Sequence, residues 1–439
     1  MIVMKFGGTS VGNAERIKNV ADIIKSRINK NPVVVVSAVS KITDALIEMA
    51  RAKDKIKSSQ MIKHIIKTHM QVIKGLGIEK TLLDEDIKEL AALADNAKIN
   101  SSIDLAALDK FQSFGERMSS KIVAAQLNKI GITAKAFNSW ELGFLTDSEF
   151  GNAEPLEDTY DNLKKNIKKQ HVVPVITGFI GKTENGEITT LGRGGSDYTA
   201  AIVGAAINAE EIEIWTDVNG ILSADPKIVQ NTHTMERVSF AEASELAYFG
   251  AKVLHPKTLL PAMDKNIPVR VLNSFEPGNS GTTIYKTIEK RRSIIKAIAC
   301  KKKITMINVG SSRMLGAFGF LARVFDIFDD HRKSVDVVST SEVSVSLTVD
   351  NDDGLEGIME DLSEIGTVQI EKNKAIICAV GEGMKQVKGI AGRIFSVLGN
   401  NNINVGMISQ GASAINVTFI VDESIADKAV QTLHKEFFG

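Results

Sequence analysis

The sequence predicts an α/β protein, with a mostly parallel sheet between helices, followed by two small α+β domains. Strand-like and helix-like segments alternate through the first two-thirds of the chain, which favours a parallel sheet. A glycine-rich turn, Lys5-Phe6-Gly7-Gly8-Thr9-Ser10, joins the first such strand to the first helix. The last third repeats itself at a spacing of roughly seventy residues, which is typical of two copies of one small unit.

The first elements follow from their apolar patterns. Ile2–Phe6 predicts a buried strand, and Ala14–Lys30 predicts an amphipathic helix. Val33–Val36 predicts a strand covered on both faces, because four β-branched residues follow one another. Three long helical stretches are expected between Ile42 and Gly131. Further strands are predicted at Ala134–Asn138, Val172–Thr177, Ile212–Thr216 and Val269–Leu272.

The sequence pattern changes after Pro277-Gly278-Asn279-Ser280-Gly281. The charged stretch Glu289–Arg292 that follows is interpreted as a linker. Beyond it, Gly319–Phe325 matches Gly389–Phe395. Each copy reads strand, helix, strand, strand, helix, strand. The second copy reaches Gly439 before a last strand, so we expect an upstream strand, at 294–299 or 304–309, to complete it. The first copy would then be inserted within the second.

Composition is that of an ordinary globular protein, with 44% hydrophobic and 24% charged residues. Lys+Arg and Asp+Glu both number 53 in the 439 residues, so the balanced charge favours neither nucleic acid nor a membrane as partner. Cys300 and Cys378 lie in apolar stretches and are expected to be buried free thiols. We expect no leader peptide and a cytoplasmic location.

The first candidate site is the turn Lys5–Ser10. Its glycines let the backbone approach a phosphate, and the following helix start offers free amide groups to an anion. Lys5 can neutralise charge that develops on a transferred phosphoryl group. Gly7 and Gly12 have Walker A spacing, but Asn13-Ala14 follow, which excludes a P-loop nucleoside triphosphatase. A plain tight turn with a surface lysine is the alternative.

The second candidate site is the segment Gly192–Ala200, which again precedes an apolar helix. Arg193 can grip a carboxylate with two hydrogen bonds. Asp197 carries no proton at neutral pH and would orient Lys5 or a metal-bound phosphate. The alternative is that Ser196 or Asp197 only caps the helix.

The third candidate is Glu116, in a predicted helix beside Gly115, which suggests close packing. Glu116 could receive a substrate ammonium group. Alternatively it is solvated and pairs with Arg117 or Lys121. Other polar groups follow strand ends or nearby loops, where ligands bind in α/β sheets. They are Ser37, Thr43, Thr216, Asp217, Lys227 and Lys252.

Together, these motifs resemble the aspartokinase family in order and spacing, over essentially the whole chain. Besides the two glycine segments they include Phe114–Arg117, Trp215–Val218 and Gly250–Pro256. The resemblance implies an amino-acid-kinase fold and Mg²⁺-ATP-dependent formation of 4-phospho-L-aspartate. It implies that Lys5 and Asp197 are catalytic. It implies that L-aspartate is bound by Ser37, Thr43, Glu116, Arg193 and Ser196. It implies that ATP is bound by Lys5, Gly7, Gly8, Thr9, Ser10, Thr216, Asp217, Leu222, Lys227, Lys252 and Val253.

The repeats resemble ferredoxin-like ACT domains of the lysine-inhibited branch. The implied domains are a kinase domain at 1–285, a linker with joining strands at 286–310, a first ACT domain at 311–385 and a second at 386–439. The implied effector residues are Met314, Ala317, Phe320, Leu321, Ser334, Val335, Asp336, Thr340 and Glu342. The resemblance also implies a homodimer through the ACT domains, which could pair into a tetramer, and no fused further enzyme.

Two departures and two alternatives accompany the resemblance. Leu222 replaces an aromatic residue found near the adenine in many relatives, and Ala317 replaces a serine found in some. The alternatives are another carboxylate kinase of the same fold, for glutamate or acetylglutamate, and a non-catalytic amino-acid sensor. Retention of Lys5, Arg193 and Asp197 argues against the sensor.

Overall fold

The computed structural model describes the whole chain except residues 53, 97–102, 250–253, 255, 288–293, 312–313, 315–317 and 412–414. The chain forms two compact units. The first comprises Met1–Ile221, Glu236–Phe240 and Val253–Ile288; the second comprises Leu222–Met235, Ala241–Lys252 and Glu289–Gly439. No described helix has both the length and the apolar character that crossing a membrane requires.

The described strands are β1 (Ile2–Phe6), β2 (Pro32–Val36), β3 (Ala134–Phe137), β4 (Val173–Thr177), β5 (Ile180–Lys182), β6 (Ile188–Thr190), β7 (Ile212–Thr216), β8 (Arg237–Ser239), β9 (Val269–Asn273), β10 (Thr282–Tyr285), β11 (Ala297–Gly310), β12 (Val338–Thr340), β13 (Ser344–Val349), β14 (Thr367–Val380), β15 (Met407–Ser409) and β16 (Asn416–Asp422).

The described α-helices are α1 (Ala14–Ser26), α2 (Ile42–Ala50), α3 (Lys55–Leu76), α4 (Asp84–Asn96), α5 (Leu105–Lys129), α6 (Asp158–Lys168), α7 (Gly195–Ile207), α8 (Phe240–Tyr248), α9 (Pro256–Asp264), α10 (Phe320–Asp330), α11 (Leu355–Ile365), α12 (Ile390–Asn400) and α13 (Ala426–Phe438).

The first unit is built on an eight-stranded sheet in the order β3-β4-β2-β1-β7-β9-β10-β8. Its strands run parallel except where β10 pairs antiparallel with β9. The central strands β1 and β2 are buried at every position, as expected for a parallel sheet covered on both faces. The order of strands places β1 between β2 and β7, so that three chain turns meet at one edge of the sheet.

The second unit contains a six-stranded antiparallel sheet in the order β12-β13-β11-β14-β16-β15. Strand β11 is long; it contains the segment 304–309 and the second half of the segment 294–299, the two segments proposed above to complete the second repeat. Its first half pairs with the last part of β14, and its second half pairs with the start of β14 and with β13. A register shift between Lys301 and Ile304 separates the halves.

Two separate apolar cores sit on these two halves. Ile298 packs in one cluster with Ile377 and Leu433, whereas Ile307 packs in another with Val324 and Leu347. Ala224 and Val229 belong to the first of these clusters, which explains why residues 222–235 are part of the second unit. The domain limits predicted from the sequence stay predictions. They end the kinase domain at one position, residue 285, whereas each compact unit comprises several separate stretches of the chain.

The predicted fold class is confirmed, and three details differ. Helix α1 stops at Ser26, and a 3₁₀ turn at Ile28–Lys30 with a left-handed Asn31 leads into β2. The described residues between Ile42 and Gly131 form four α-helices instead of three. Cys378 is a buried free thiol as expected, but Cys300 is only partly buried.

Candidate active site

A cleft of about 550 Å³ opens at the carboxyl ends of β1, β2 and β7. In the parallel ladders Phe6 lies opposite Val36 on one side and Trp215 on the other, so these three strands end at the same level. The predicted residues among those lining the cleft are Lys5, Gly7, Gly8, Thr9, Ser37, Thr43, Glu116, Arg193, Ser196, Asp197, Thr216 and Asp217. The fold therefore brings together segments that lie far apart in the chain, from Lys5 to Asp217.

The turn after β1 is held tightly against its neighbours. The Gly7 amide donates to the Trp215 carbonyl at 3.1 Å, and the Ser10 amide donates to the Gly7 carbonyl at 2.9 Å. A Cβ atom at Gly8 would lie 2.8 Å from the Ala38 carbonyl oxygen, so only glycine fits there. The turn thus presents bare backbone to the cleft, as a phosphate-binding turn requires.

Lys5 forms an ion pair with Asp197 from the first turn of α7. Both side chains are mostly buried, with 9% and 15% of their surface exposed. The N-cap of α7 is Gly194, in the left-handed region at φ 74° and without a side-chain cap. The simpler reading, in which Ser196 or Asp197 caps this helix, is therefore wrong.

Glu116 is buried at the floor of the cleft, with 2% of its surface exposed. One carboxylate oxygen accepts a hydrogen bond from the Ala38 amide at 3.0 Å, and Oε2 has no hydrogen-bond partner among the described residues. Burial raises the pKa of Glu116 to about 8, against the opposing effect of the Ala38 hydrogen bond and the charge of Lys5. This carboxylate is ready to accept a donor from a ligand.

The surface reading of Glu116 is wrong, because its helical neighbours pair elsewhere. Arg117 and Lys121 both bind Asp86 on α4, at 3.2 and 2.6 Å. Gly115 explains the depth of this segment, since a Cβ atom there would lie 2.6 Å from the Cβ of Ala38. The predicted close packing at Gly115 is therefore present, and it lets α5 lie against the loop after β2.

Two further predicted residues face the cleft from the loop before α7. Arg193 is exposed, and Ser196 is 8% exposed. The backbone at Gly178 approaches Ser196 closely, since a Cβ atom there would lie 2.7 Å from the Cβ of Ser196. With Lys5 and Lys41, Arg193 gives the cleft three basic side chains, which suits anionic ligands.

The sequence reasoning missed some residues that line the cleft. Phe179 and Lys41 both have left-handed backbones, at φ 67° and 66°, and both line it, as does Asp44. A non-glycine residue in this region is strained, and such strain is often found at functional sites. A signal existed for Phe179, because it lies two residues after the end of the predicted strand at Thr177.

Other predicted nucleotide residues lie elsewhere. Ser10 is buried, does not line the cleft, and has its hydroxyl 2.8 Å from that of Ser274, so nothing in its geometry supports a contact with ATP. Leu222 and the exposed Lys227 belong to the second unit. Lys252 and Val253 lie outside the described residues. For all four of these latter residues, ATP contact stays a prediction.

In the second unit, Asp336 is surrounded by donors from its own chain. The Tyr248 hydroxyl donates to it at 2.7 Å, and the Lys301 ammonium lies 3.1 Å from both carboxylate oxygens. Lys301 also pairs with Asp350. Burial, and then a hydrogen bond with Asp350, raise the pKa of Asp336 to about 6.

The remaining effector candidates differ in accessibility. Phe320 packs in the core of the first repeat, whereas Leu321 on the same helix is 41% exposed. Ala317 lies outside the described residues. The others are Met314, Ser334, Val335, Thr340 and Glu342, of which Ser334, Thr340 and Glu342 are exposed. Across the part of the chain that the structure describes, no group of three or more His, Cys, Asp or Glu side chains could hold a metal ion.

Comparison with family models gives two matches. Residues 1–273 match the amino acid kinase family, and residues 377–437 match an ACT domain. Among curated proteins, chloroplastic aspartokinase 2 of Arabidopsis thaliana is 40% identical over 99% of this chain and 84% of its own length. Lysine-sensitive aspartokinase 3 of Escherichia coli is 35% identical over 100% of this chain and 99% of its own.

Solved structures give the same result over the full length of both chains. E. coli aspartokinase III in complex with aspartate and ADP has a TM-score of 0.86 and 34% identity. The same enzyme in complex with lysine and aspartate has a TM-score of 0.83. Aspartate kinase of Clostridium acetobutylicum has a TM-score of 0.81 and 29% identity.

Proposed function

This chain belongs to the amino acid kinase family and, within it, to the aspartokinases, and we propose on that premise how its own residues carry out and regulate the reaction. The activity is that of an aspartate kinase, which transfers a phosphoryl group to the side-chain carboxylate of L-aspartate. The observation that carries the proposal is the Lys5–Asp197 pair in one cleft with the unsatisfied oxygen of Glu116.

Lys5 stabilises the negative charge on the transferred group. ATP supplies the phosphoryl group, and a bond forms to the aspartate carboxylate oxygen as the bond to the leaving ADP oxygen breaks. The Lys5 side chain is only 9% exposed, so its charge is screened little by water. Asp197 fixes the position of this ammonium through the ion pair. No side chain needs to accept the phosphoryl group, because in-line transfer between two bound ligands is sufficient.

The amino-acid substrate is held by groups of opposite charge. Oε2 of Glu116 accepts a hydrogen bond from the substrate ammonium, and Arg193 binds a carboxylate with its two-pronged guanidinium. Thr43, Ser37 and Ser196 offer hydroxyl groups from the cleft wall. This set, with one buried acid and one exposed base, fits a small amino acid that carries both charges.

The nucleotide phosphates are bound at Gly7, Gly8 and Thr9, where Gly8 has no room for a side chain. Thr216 and Asp217, at the end of β7, contribute from the neighbouring strand. Mg²⁺ is carried mainly by the nucleotide phosphates, as is usual for this ion. Leu222, Lys227, Lys252 and Val253 complete the predicted nucleotide set.

Lysine acts as a feedback inhibitor through the first ACT repeat. A related enzyme is named lysine-sensitive and has been solved with lysine. Asp336 and Glu342 supply negative charge for the effector ammonium in this repeat. Phe318, Leu321 and Phe325 are 98%, 41% and 41% exposed, and burial of these apolar side chains against a second copy of the chain would support a homodimer. Dimers could pair further into a tetramer.

A cytoplasmic location is proposed from the sequence, although some relatives are chloroplastic. The activity test is direct. The protein is incubated with Mg²⁺, ATP and L-aspartate, and acyl phosphate is trapped with hydroxylamine. Glutamate replaces aspartate in a parallel reaction, and L-lysine is added in a third. We expect hydroxamate from aspartate and inhibition by lysine. Absence of aspartyl hydroxamate would reject the function, and indifference to lysine would reject only its regulation.

A further inference from the structure

Asp109 is a buried carboxylate outside the predicted site residues. It lies near the start of α5 and is 1% exposed. Its Oδ2 atom accepts hydrogen bonds from the backbone amides of Gly151 and Thr190, at 2.9 and 2.8 Å. Its Oδ1 atom accepts one from the Thr190 hydroxyl at 2.8 Å. Both oxygens therefore bind groups on other segments of the first unit.

A carboxylate without a positive partner is costly to bury, so such a residue needs another reason to be there. Burial raises the pKa of Asp109, and the hydrogen bonds from Gly151 and Thr190 oppose that rise. The structural effect is that one side chain joins three segments: helix α5, the loop at residue 151 and the end of β6. Loss of the carboxylate would leave three donors without their acceptor.

The two segments held by Asp109 lead directly to the cleft. Thr190 ends β6 and precedes Gly192 and Arg193 by only a few residues. The Ala153 amide donates to the Thr190 carbonyl at 2.9 Å, so the loop and the strand end are also bound to each other. Gly192 has φ 72°, and a Cβ atom there would lie 2.7 Å from Oδ1 of Asn152. The turn that carries Arg193 thus packs closely against the loop whose Gly151 amide donates to Asp109.

We propose that Asp109 is a positioning residue for substrate binding, which fixes the turn that presents Arg193 to the substrate carboxylate. This inference rests on the proposed role of Arg193. Asp109 and Glu116 lie on the same helix, seven positions apart, which is about two helical turns or roughly 10 Å. Helix α5 therefore sets both ends of the substrate: Glu116 meets the ammonium directly, and Asp109 acts on the carboxylate side through Thr190.

The test compares Asp109→Ala with Asp109→Asn in the full-length protein. Asparagine can accept both backbone hydrogen bonds at Oδ1 and donate from Nδ2 to the Thr190 hydroxyl, so it preserves all three contacts. We expect Asp109→Ala to raise KM for aspartate by about tenfold or more and to change KM for ATP by less than about twofold, because only the carboxylate grip is misplaced. Asp109→Asn should stay within about threefold of the parent for both constants.

Asp104→Ala is the matched control. Asp104 caps the same helix by accepting a hydrogen bond from the Ala107 amide at 2.6 Å, and it makes no contact with Thr190. Its loss should lower the melting temperature and leave both KM values unchanged. The proposal is overturned if Asp109→Ala changes only stability, as the control does, or if Asp109→Asn is as damaging as Asp109→Ala.

A second pair of variants covers the case in which Asp109→Ala does not fold. Thr190→Val removes one hydrogen bond with almost no change of shape, and Thr190→Ser restores it. Thr190→Val should raise KM for aspartate about threefold, as expected for one lost hydrogen bond, and Thr190→Ser should reverse the effect. Unchanged KM values in Thr190→Val would also overturn the proposal. A parent protein without aspartyl hydroxamate would instead reject the proposed function itself.

Discussion

Each unit of this protein contains a mostly buried lysine–aspartate pair, and the two pairs have different surroundings. Lys5 and Asp197 line an open cleft, beside Glu116 with its unsatisfied oxygen. Lys301 and Asp336 are enclosed by Tyr248, which donates to the same aspartate, and by Asp350, which pairs with the same lysine. The Lys5–Asp197 pair therefore faces a cleft that ligands can enter, whereas the Lys301–Asp336 pair is bound by further side chains of its own chain.

The difference shows at which pair a ligand must displace existing hydrogen-bond partners in order to bind. A substrate ammonium can reach Glu116 without displacing any hydrogen bond, because Oε2 is free among the described groups. An effector ammonium that uses Asp336 must compete with Lys301 and Tyr248. A ligand shifts a conformational equilibrium only if it binds two states unequally, and an exchange of partners at Asp336 provides two such states. In these proposed roles the Lys5–Asp197 pair is preorganised for its ligands, whereas Lys301 competes with the effector for Asp336.

The largest expected difference between the two pairs appears when the ammonium group of each lysine is removed in turn. Lys5→Ala should lower kcat by about 10²–10³, because a group that stabilises transition-state charge is lost. Lys301→Ala, which also takes an ammonium from a buried aspartate, should leave kcat within about twofold of the parent, since it acts outside the cleft. Hydroxamate assays with saturating substrates measure both, and circular dichroism checks the fold. A near-normal rate in Lys5→Ala would refute the contrast.

Glu116→Gln tests the open oxygen of the cleft. A hydrogen bond between charged groups contributes about 1.5–3 kcal/mol, so KM for aspartate should rise by roughly 10- to 100-fold. KM for ATP should change much less. Glu89→Gln is the control, because Glu89 pairs with Arg117 on the outer side of the same helix. Equal KM values for aspartate in Glu116→Gln and the parent would show that this carboxylate does not hold the substrate.

The pKa of Glu116 predicts a pH dependence. Because burial raises this pKa from 4.5 to about 8, the free protein holds a proton there at pH 7, and the fold loses stability as the pH rises from about 4.5 to about 8. A substrate ammonium favours the ionised carboxylate, so binding releases a proton. Apparent affinity for aspartate should then rise roughly fivefold from pH 7 to 8, in proportion to the ionised fraction.

Calorimetry in buffers of different ionisation enthalpy counts the released proton, and the pH profile of KM gives the affinity. Glu116→Gln removes the titrating group and should flatten the profile. A profile with the same slope in the parent and in Glu116→Gln would assign the pH effect to a different group.

The smallest effects are expected at the Lys301–Asp336 pair. Tyr248→Phe removes one hydrogen bond to Asp336 and should lower the lysine concentration for half-inhibition by about two- to fivefold, since the effector then displaces one partner fewer. Lys301→Met should shift it in the same direction. Lys302→Met is the control, because Lys302 pairs with Asp427. Loss of inhibition in Lys301→Met, instead of greater sensitivity, would mean that Lys301 assists the effector and would break the comparison.

Prediction from sequence succeeded where the signal is local. Four successive β-branched residues indicated the buried strand β2, and the glycines of the Lys5–Ser10 turn indicated a close backbone approach that the Gly8–Ala38 distance now explains. Prediction failed at the end of a helix, where the residue pattern continues beyond the last helical residue. Helix α1 was predicted four residues too long, because Arg27 to Lys30 continue a polar-apolar pattern after the helix has ended at Ser26.

By itself, the sequence determined the fold class, the repeated ACT architecture and the family of the chain, because periodicity, glycine turns and motif order are local properties. Only the tertiary structure decided that Glu116 is buried with one oxygen unpaired among the described residues, that Lys301 and Tyr248 bind Asp336, and that Asp109 accepts hydrogen bonds from Gly151 and Thr190. These facts depend on contacts between residues far apart in the chain. Spacing in sequence cannot give them, since burial and hydrogen-bond partners arise only when separate segments pack together.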